Sequence, residues 1–438
     1  MGIKVAKFGG SSVAGAEQFQ KVRDIIAHDP DRRVVVSSAA GKRFAEDHKL
    51  TDLLYLCHAH LTYGVSCADI LHTIEQRFIE IRDSLGLQYE IERDLAALRG
   101  RLSRDMSVDE LVSRGEYFTS RLLAEFLGYA FADAKDCVFF GYDGRIDEQK
   151  TYEAIGRICS ETERVVIPGF YGQMPGGRVK VLSRGGSDVT GALAAAAVGA
   201  DVYENWTDVS GILMADPRIV DDPRSIRQIT YAELKELTLM GASVLHEDAV
   251  DPVRRAGIAL NIRNTNEPGD PGTMIVEKVV DEPDDPHFIT GLAGKRNFSI
   301  LTLRKRDMED SSMLIKTLQI VDRYQVKAEH IVLGVDSFAL MVSSDEAGDD
   351  LYSIIADIKN ECVPDKVLIQ DKVSLIAAVG RRMMARPGIS GKLFAALGDN
   401  QINIRTIKQG ADERSIIIGV RNEDFEQAIR VLYGEFAG

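Results

Sequence analysis

Over the first 280 residues of this 438-residue chain, short continuous apolar runs alternate with stretches at helical spacing. Ile3-Lys4-Val5-Ala6-Lys7-Phe8, Val34-Val35-Val36, residues 137–140, Val165-Val166-Ile167 and residues 201–206 read as strands, most of them running into loops of small residues. Strands covered on both faces lose the in–out alternation of a half-exposed sheet, and these runs lack it. Phe19, Val22, Ile25 and Ile26 mark one face of a helix. From Asp52 to about Tyr129 the pattern is mostly helical, with Leu71, Ile74, Phe78, Ile81 and Leu85, then Leu95, Leu98 and Leu102, in register. This alternation predicts an open, mostly parallel α/β sheet flanked by helices.

The pattern breaks at Val279-Val280-Asp281-Glu282-Pro283-Asp284-Asp285-Pro286, where acidic residues and two prolines predict a linker. Beyond it the order becomes strand–helix–strand–strand, twice. The first unit has strands at 299–303 and 338–342 with helices near 314–324 and 351–358. The second has strands at 374–379, 401–407 and 415–420, with helices near 392–397 and from Glu423. Two α+β modules of ferredoxin-like βαββαβ type follow. The expected division is 1–280, a linker at 281–297, one module at 298–370 and a second at 371–438, whose last strand or helix could return to the first.

Composition narrows the classes. Apolar residues make up 45% and charged residues 27%, ordinary for a globular protein. A formal charge of -14 argues against nucleic acid or an anionic membrane as partner. Cys57, Cys67, Cys137, Cys159 and Cys362 are scattered without a Cys-x-x-Cys pair, so neither a disulfide framework nor a zinc site is expected. His58 and His60 are two apart on a predicted helix and face different ways. With no apolar run long enough to span a bilayer, the expected location is the cytoplasm.

The chemistry gathers in two glycine loops. In Ser183-Arg184-Gly185-Gly186-Ser187-Asp188-Val189-Thr190-Gly191, paired glycines let the backbone approach an anion, Arg184 offers a planar fork, and a small-residue helix follows. The same residues also fit an ordinary glycine-rich turn before an alanine-rich helix. A second loop, Gly9-Gly10-Ser11-Ser12, follows the strand that carries Lys7 at its carboxyl end. A lysine there is placed to meet a transferring phosphoryl group. No Gly-x-x-x-x-Gly-Lys-[Ser/Thr] run and no protein-kinase catalytic loop are present, which excludes those two kinase classes.

Lys7-Phe8-Gly9-Gly10-Ser11-Ser12, the Ser-Arg-Gly-Gly-Ser-Asp run, and Trp206-Thr207-Asp208-Val209-Ser210-Gly211-Ile212 resemble the aspartate kinases in order and spacing. Asp216-Pro217-Arg218, Gly241-Ala242-Ser243-Val244-Leu245-His246 and Arg263-Asn264-Thr265 continue the resemblance, and the tail from Pro387-Gly388-Ile389 resembles their regulatory ACT domains. It implies the amino-acid kinase fold and ATP-dependent phosphorylation of the L-aspartate side-chain carboxylate, the first step of lysine, threonine and methionine synthesis. Lys7 and Asp188 would be catalytic, with Lys7, Gly9, Gly10, Ser11, Gly185 and Gly186 around the phosphates. Ser38, Thr51, Glu116, Arg184 and Ser187 would hold aspartate, Arg184 its carboxylate and Glu116 its ammonium group. Thr207, Asp208, Asp216 and Arg218 would contact the nucleotide. Mg2+ would be required without a dedicated protein cage. Lysine or threonine would act as effector, and a homodimer or larger homo-oligomer would form through the ACT modules. Three positions depart from many relatives: Ser243 replaces a lysine, Glu247 a proline and Leu213 an aromatic residue. Ser243 and Leu213 motivate the alternative of a catalytically weak or inactive amino-acid sensor with the same fold.

Overall fold

At the centre of the first unit is β1 (Lys4–Phe8), an apolar strand buried on both faces. The computed structural model describes residues 2–183, 185–242, 245, 247–279, 289–306, 311–381, 383, 387–410 and 414–437. Chain packing divides it into two units: Met1–Ile212, Ser225–Tyr231 and Val244–Val280 form one, and Leu213–Arg224, Ala232–Ser243 and Asp281–Gly438 form the other.

In the first unit the sheet strands are β1, β2 (Arg32–Ser37), β3 (Ala130–Phe131), β4 (Val165–Pro168), β5 (Val202–Thr207), β6 (Gln228–Thr230), β7 (Ala259–Asn264) and β8 (Thr273–Val276). Their order is β6-β8-β7-β5-β1-β2-β4-β3. All pairings are parallel except β7 with β8. The chain first builds outward from β1 through β2, then returns to lay β5 on the other side of β1. That reversal is a topological switch point, and the crevice outside the carboxyl ends of β1, β5 and β2 is where ligands bind in such sheets. Helix α1 (Ala16–His28) buries Phe19, Val22, Ile25 and Ile26, as their spacing predicts. Helices α2 (Leu50–Tyr63), α3 (Ala68–Leu85) and α4 (Arg114–Leu127) then supply the helical stretch.

One expected strand is absent. Residues 134–137 form a single helical turn, started by the Asp133 carboxylate accepting the Lys135 N–H, and Phe139 and Phe140 make only isolated bridges. Cys137 and Val138 are still fully buried, so the apolar run marked burial without a ladder.

The second unit holds one six-stranded sheet: β9 (Gly291–Arg304), β10 (Ala328–Leu333), β11 (Ser337–Ser343), β12 (Lys366–Val379), β13 (Thr406–Gln409) and β14 (Ser415–Arg421), in the order β10-β11-β9-β12-β14-β13. The central strands β9 and β12 run 14 residues each and shift register near Phe298. Asn297 (φ 65°) and Lys372 (φ 57°) take left-handed backbone at that point. Each long strand therefore serves two modules. One half packs a core of Leu301, Leu303, Ile320, Phe338 and Ile354; the other packs Leu292, Ile376, Leu393, Ile418 and Ile429.

Two sequence expectations change here. The span 281–297 is not linker throughout, because Gly291 to Lys295 pair with Val379 to Leu375 as a strand of the second module. The last helix, Phe425–Ala437, stays with that module, burying Phe425, Ile429 and Leu432. Nor is 1–280 one packing unit. Ala215 and Val220 lie in the second module's core, the Leu292 N–H donates to the Met214 carbonyl at 2.6 Å, and the Ser415 hydroxyl donates to Glu236 at 3.0 Å.

Candidate active site

The segments at and just beyond the carboxyl ends of β1, β2, β4 and β5 meet around one cleft of about 640 Å3. Lys7, Gly10, Ser11, Ser38, Thr51, Glu116, Gly185, Gly186, Ser187, Asp188 and Asp208 line it. Eleven residues that the sequence assigns to one site thus meet at one surface.

Lys7 is 6% exposed and points away from the β1 face that carries Phe8. Its ammonium lies 2.5 Å from Asp188 Oδ1, and Asn205 Nδ2 donates to the same oxygen at 3.0 Å. Lys7 also donates to Asn205 Oδ1 at 3.3 Å. Asn205 was not foreseen. Its signal is register: Lys7 and Asn205 are partners across the parallel β1–β5 pair, so their side chains leave the sheet on the same face.

The glycines act through proximity. Gly41 N–H donates to the Gly10 carbonyl at 2.8 Å, and a Cβ on Gly41 would sit 2.6 Å from Gly10 backbone. Gly185 has φ 75°, the left-handed turn that starts helix α5 (Gly186–Val198). The first turn of α5 places Ser187 and Asp188 at the cleft, at the positive end of the helix. Gly9 lies beside Lys7 Nζ, and its N–H is taken by the Trp206 carbonyl at 2.9 Å.

Glu116 sits on the first turn of α4, 4% exposed, and its Oε2 has no hydrogen-bond partner. Burial pushes its carboxyl up to about 8, only partly opposed by the backbone N–H of Ala39. A buried carboxyl with one oxygen left without a partner suits a cationic group. It comes this close because Gly115 has no side chain to push the Ser38–Ala39 turn away, and Thr119 Oγ1 accepts the Ala40 N–H at 3.1 Å. Phe170, also unforeseen, lines the cleft with φ 77°, its N–H donating to Thr190 Oγ1.

Other predicted residues fall elsewhere. Thr207 ends β5 and donates to Asp208 Oδ1 at 3.1 Å, without lining the cleft itself. Asp216 and Arg218 belong to the second unit, where they pair with each other at 2.6 Å. Arg184 and Ser243 lie outside the described residues, as does the side chain of Glu247. Among the described residues no group of three or more His, Cys, Asp and Glu is placed to hold a metal ion. No helix among them is long and apolar enough to cross a membrane.

A buried lysine between two glycine turns, at the switch point of an open α/β sheet, defines the class. Residues 2–264 match the amino acid kinase family and residues 376–436 match an ACT domain. The chain belongs to the amino acid kinase family, and its relatives place it among the aspartokinases. Aspartokinase 3 of Bacillus subtilis is 33% identical, over 99% of this chain and 98% of that protein. The crystal structure of Clostridium acetobutylicum aspartate kinase superposes with a TM-score of 0.91 at 43% identity, covering 100% of both chains. Escherichia coli aspartokinase III, solved with aspartate and ADP and again with lysine and aspartate, superposes at 0.74 with 28% identity and full coverage of both chains.

Proposed function

We propose that this chain transfers the γ-phosphoryl group of ATP to the side-chain carboxylate of L-aspartate, giving 4-phospho-L-aspartate and ADP. The observation that carries the reading is one cleft holding both a buried Lys7–Asp188–Asn205 cluster and an unpaired buried acid, Glu116. The first suits a phosphoryl group, the second an amino acid's ammonium.

In the reaction a carboxylate oxygen of aspartate forms the new P–O bond as the bond from phosphorus to the ADP oxygen breaks. The nucleophile is already ionised at neutral pH, so no general base is needed. Lys7 meets the charge that gathers on the transferring group, and Asp188 with Asn205 fixes its ammonium in direction. The backbone N–H groups of Gly10 and Ser11, with those at the start of α5, would face the phosphate oxygens. Glu116 ionises when the substrate ammonium arrives, while Thr51, Ser38 and Ser187 offer hydroxyls. Arg184 is the proposed partner of the substrate carboxylate. Asp188 and Asp208 would help hold a Mg2+ ion, which would neutralise phosphate charge.

An amino acid effector, lysine or threonine, is proposed to bind the ACT modules and inhibit, in a homodimer or larger homo-oligomer of the cytoplasm. E. coli aspartokinase III solved with lysine supports that reading. The test is ADP release by the purified chain with Mg-ATP and L-aspartate, with L-glutamate as control acceptor and with lysine or threonine added. Turnover that needs aspartate and falls with an effector supports both halves. Aspartate binding by calorimetry without turnover would instead favour an amino-acid sensor.

A further inference from the structure

Arg77 lies on α3, remote in sequence from every loop of the cleft, yet its guanidinium ends among their carbonyls. The side chain is 3% exposed. Nη1 donates to the His48 carbonyl at 2.7 Å, and Nη2 donates to the Gly41 carbonyl at 2.6 Å and the Ala14 carbonyl at 3.4 Å. Asp47 Oδ2 is 3.6 Å from Nη2. Asp47 also accepts the backbone N–H of Arg43 at 3.0 Å and its Nε–H at 2.9 Å. One fork therefore joins both ends of segment 41–48 to the turn that follows the first glycine loop.

That segment is a wall of the cleft. Gly41, Lys42, Arg43, Phe44 and Ala45 line it, with Lys49 just beyond. It contains neither helix nor strand, so few backbone bonds hold it. Those present are Gly41 N–H to the Gly10 carbonyl and Asp47 N–H to the Phe44 carbonyl. Burying a guanidinium is costly unless its donors are satisfied. Here Nη1 and Nη2 are satisfied by loop carbonyls rather than by a core partner, while Nε is buried without one; a planar fork suits several acceptors at once. The Asp47 carboxyl is held below its usual range, first by Arg43 and further by Arg77, so the anion in this clasp persists.

We propose that Arg77 is a positioning residue for catalysis, clamping segment 41–48 against the Ala14 turn that follows the first glycine loop and so setting the width of the cleft and the place of Lys42 and Lys49 at its mouth. The inference rests on the kinase reading of the cleft. Because Arg77 does not itself line the cleft and reaches it only through Gly41 and the wall, its loss acts through the wall: the KM for aspartate rises more than kcat falls.

The experiment compares wild type, Arg77→Met and Arg77→Lys in steady-state kinetics, in timed trypsin cleavage and in thermal unfolding. Arg77→Met keeps the apolar stem and removes every donor; Arg77→Lys returns one charged donor group. The expected result is an aspartate KM raised about tenfold or more in Arg77→Met, as a misplaced binding wall implies. Arg77→Lys should lie between, and trypsin should cut faster after Lys42, Arg43 or Lys49 in the order Met, Lys, wild type. If Arg77→Met does not fold, the Arg77→Lys values decide. Wild-type KM, kcat and cleavage rates in a folded variant would overturn the proposal, even with a lower unfolding temperature. Absence of turnover by wild type would sink the kinase reading alone, and the cleavage order would still judge the clamp.

Discussion

Lys7 and Asp188 form an ion pair of 2.5 Å at the floor of the cleft, the lysine nearly sealed from solvent and the aspartate only slightly less so. The pair does two jobs that pull against each other. Asp188 makes burial of the ammonium tolerable, yet Lys7 must still have attraction to spare for a phosphoryl group. Lys7→Ala should lower kcat by about 100- to 1000-fold, the usual cost of losing a charge stabiliser. Circular dichroism and ADP release check fold and rate separately.

Removing only the acid leaves the ammonium buried beside a neutral amide. Asp188→Asn should destabilise the first unit by up to about 3–5 kcal/mol and also cost activity. The double variant Lys7→Met, Asp188→Asn should regain most of the stability and none of the turnover. Urea unfolding of wild type, Lys7→Met, Asp188→Asn and the double variant, read as a double-mutant cycle, tests this.

Glu116 makes stability and binding depend on pH in opposite directions. Its folded value of about 8 lies above its ordinary 4.5, so between these values the folded chain keeps a proton that the unfolded chain has released. The contribution to stability is complete below about pH 4.5 and is lost as pH rises to about 8. Glu116→Gln should therefore unfold at higher temperature than wild type at pH 8, with the gap closing at pH 5. Aspartate binding should strengthen with pH in wild type, and Glu116→Gln should raise its KM by about 10- to 100-fold, as for hydrogen bonds between charged groups. Thermal melts and KM measured across this range decide it.

Much of this was legible. Lys7, the 9–12 turn and the start of α5 carry their chemistry in contiguous residues, and the apolar runs of β1, β2 and β4 place them at strand ends. Asn205 was not legible, because its role comes from a cross-strand register that no local pattern encodes. Residues 366–373 do not read as a strand, because Gln370, Asp371 and Lys372 interrupt the apolar run. Residues 137–140 misled in the other sense, since burial without a partner strand leaves the same apolar trace. The two segments 213–224 and 232–243 join the second unit through long-range contacts, which spacing along the chain cannot reveal.

Gly41 tests the contact between the two cleft turns. A methyl group there would press on Gly10 backbone, which has no flexible end to move aside. Gly41→Ala should lower stability by roughly 1–3 kcal/mol through overpacking and reduce kcat/KM for both substrates. Gly86→Ala, at a helix end with open space around it but φ 66°, controls for strain alone.

Arg32 and Glu204 form a second buried pair at 2.7 Å, and Trp206 Nε1 donates to Glu204 at 2.9 Å. Arg32 and Arg263 both stack on the Trp206 ring, at 5.3 and 4.5 Å. Glu204→Ala leaves two cations without their shared acid and should cost about 3–5 kcal/mol. Trp206 is the only tryptophan of the sequence, so its fluorescence reports the change directly.

The long strands β9 and β12 make the tail indivisible. A chain cut near Lys372 would strip Gly291 to Lys295 of the neighbours they pair with, exposing a sticky ribbon edge. A fragment starting at Val373 would lack the strand that flanks β12 on that side. Neither module can be inherited, exchanged or lost by a single cut, so recombination between relatives can trade this regulatory half only whole.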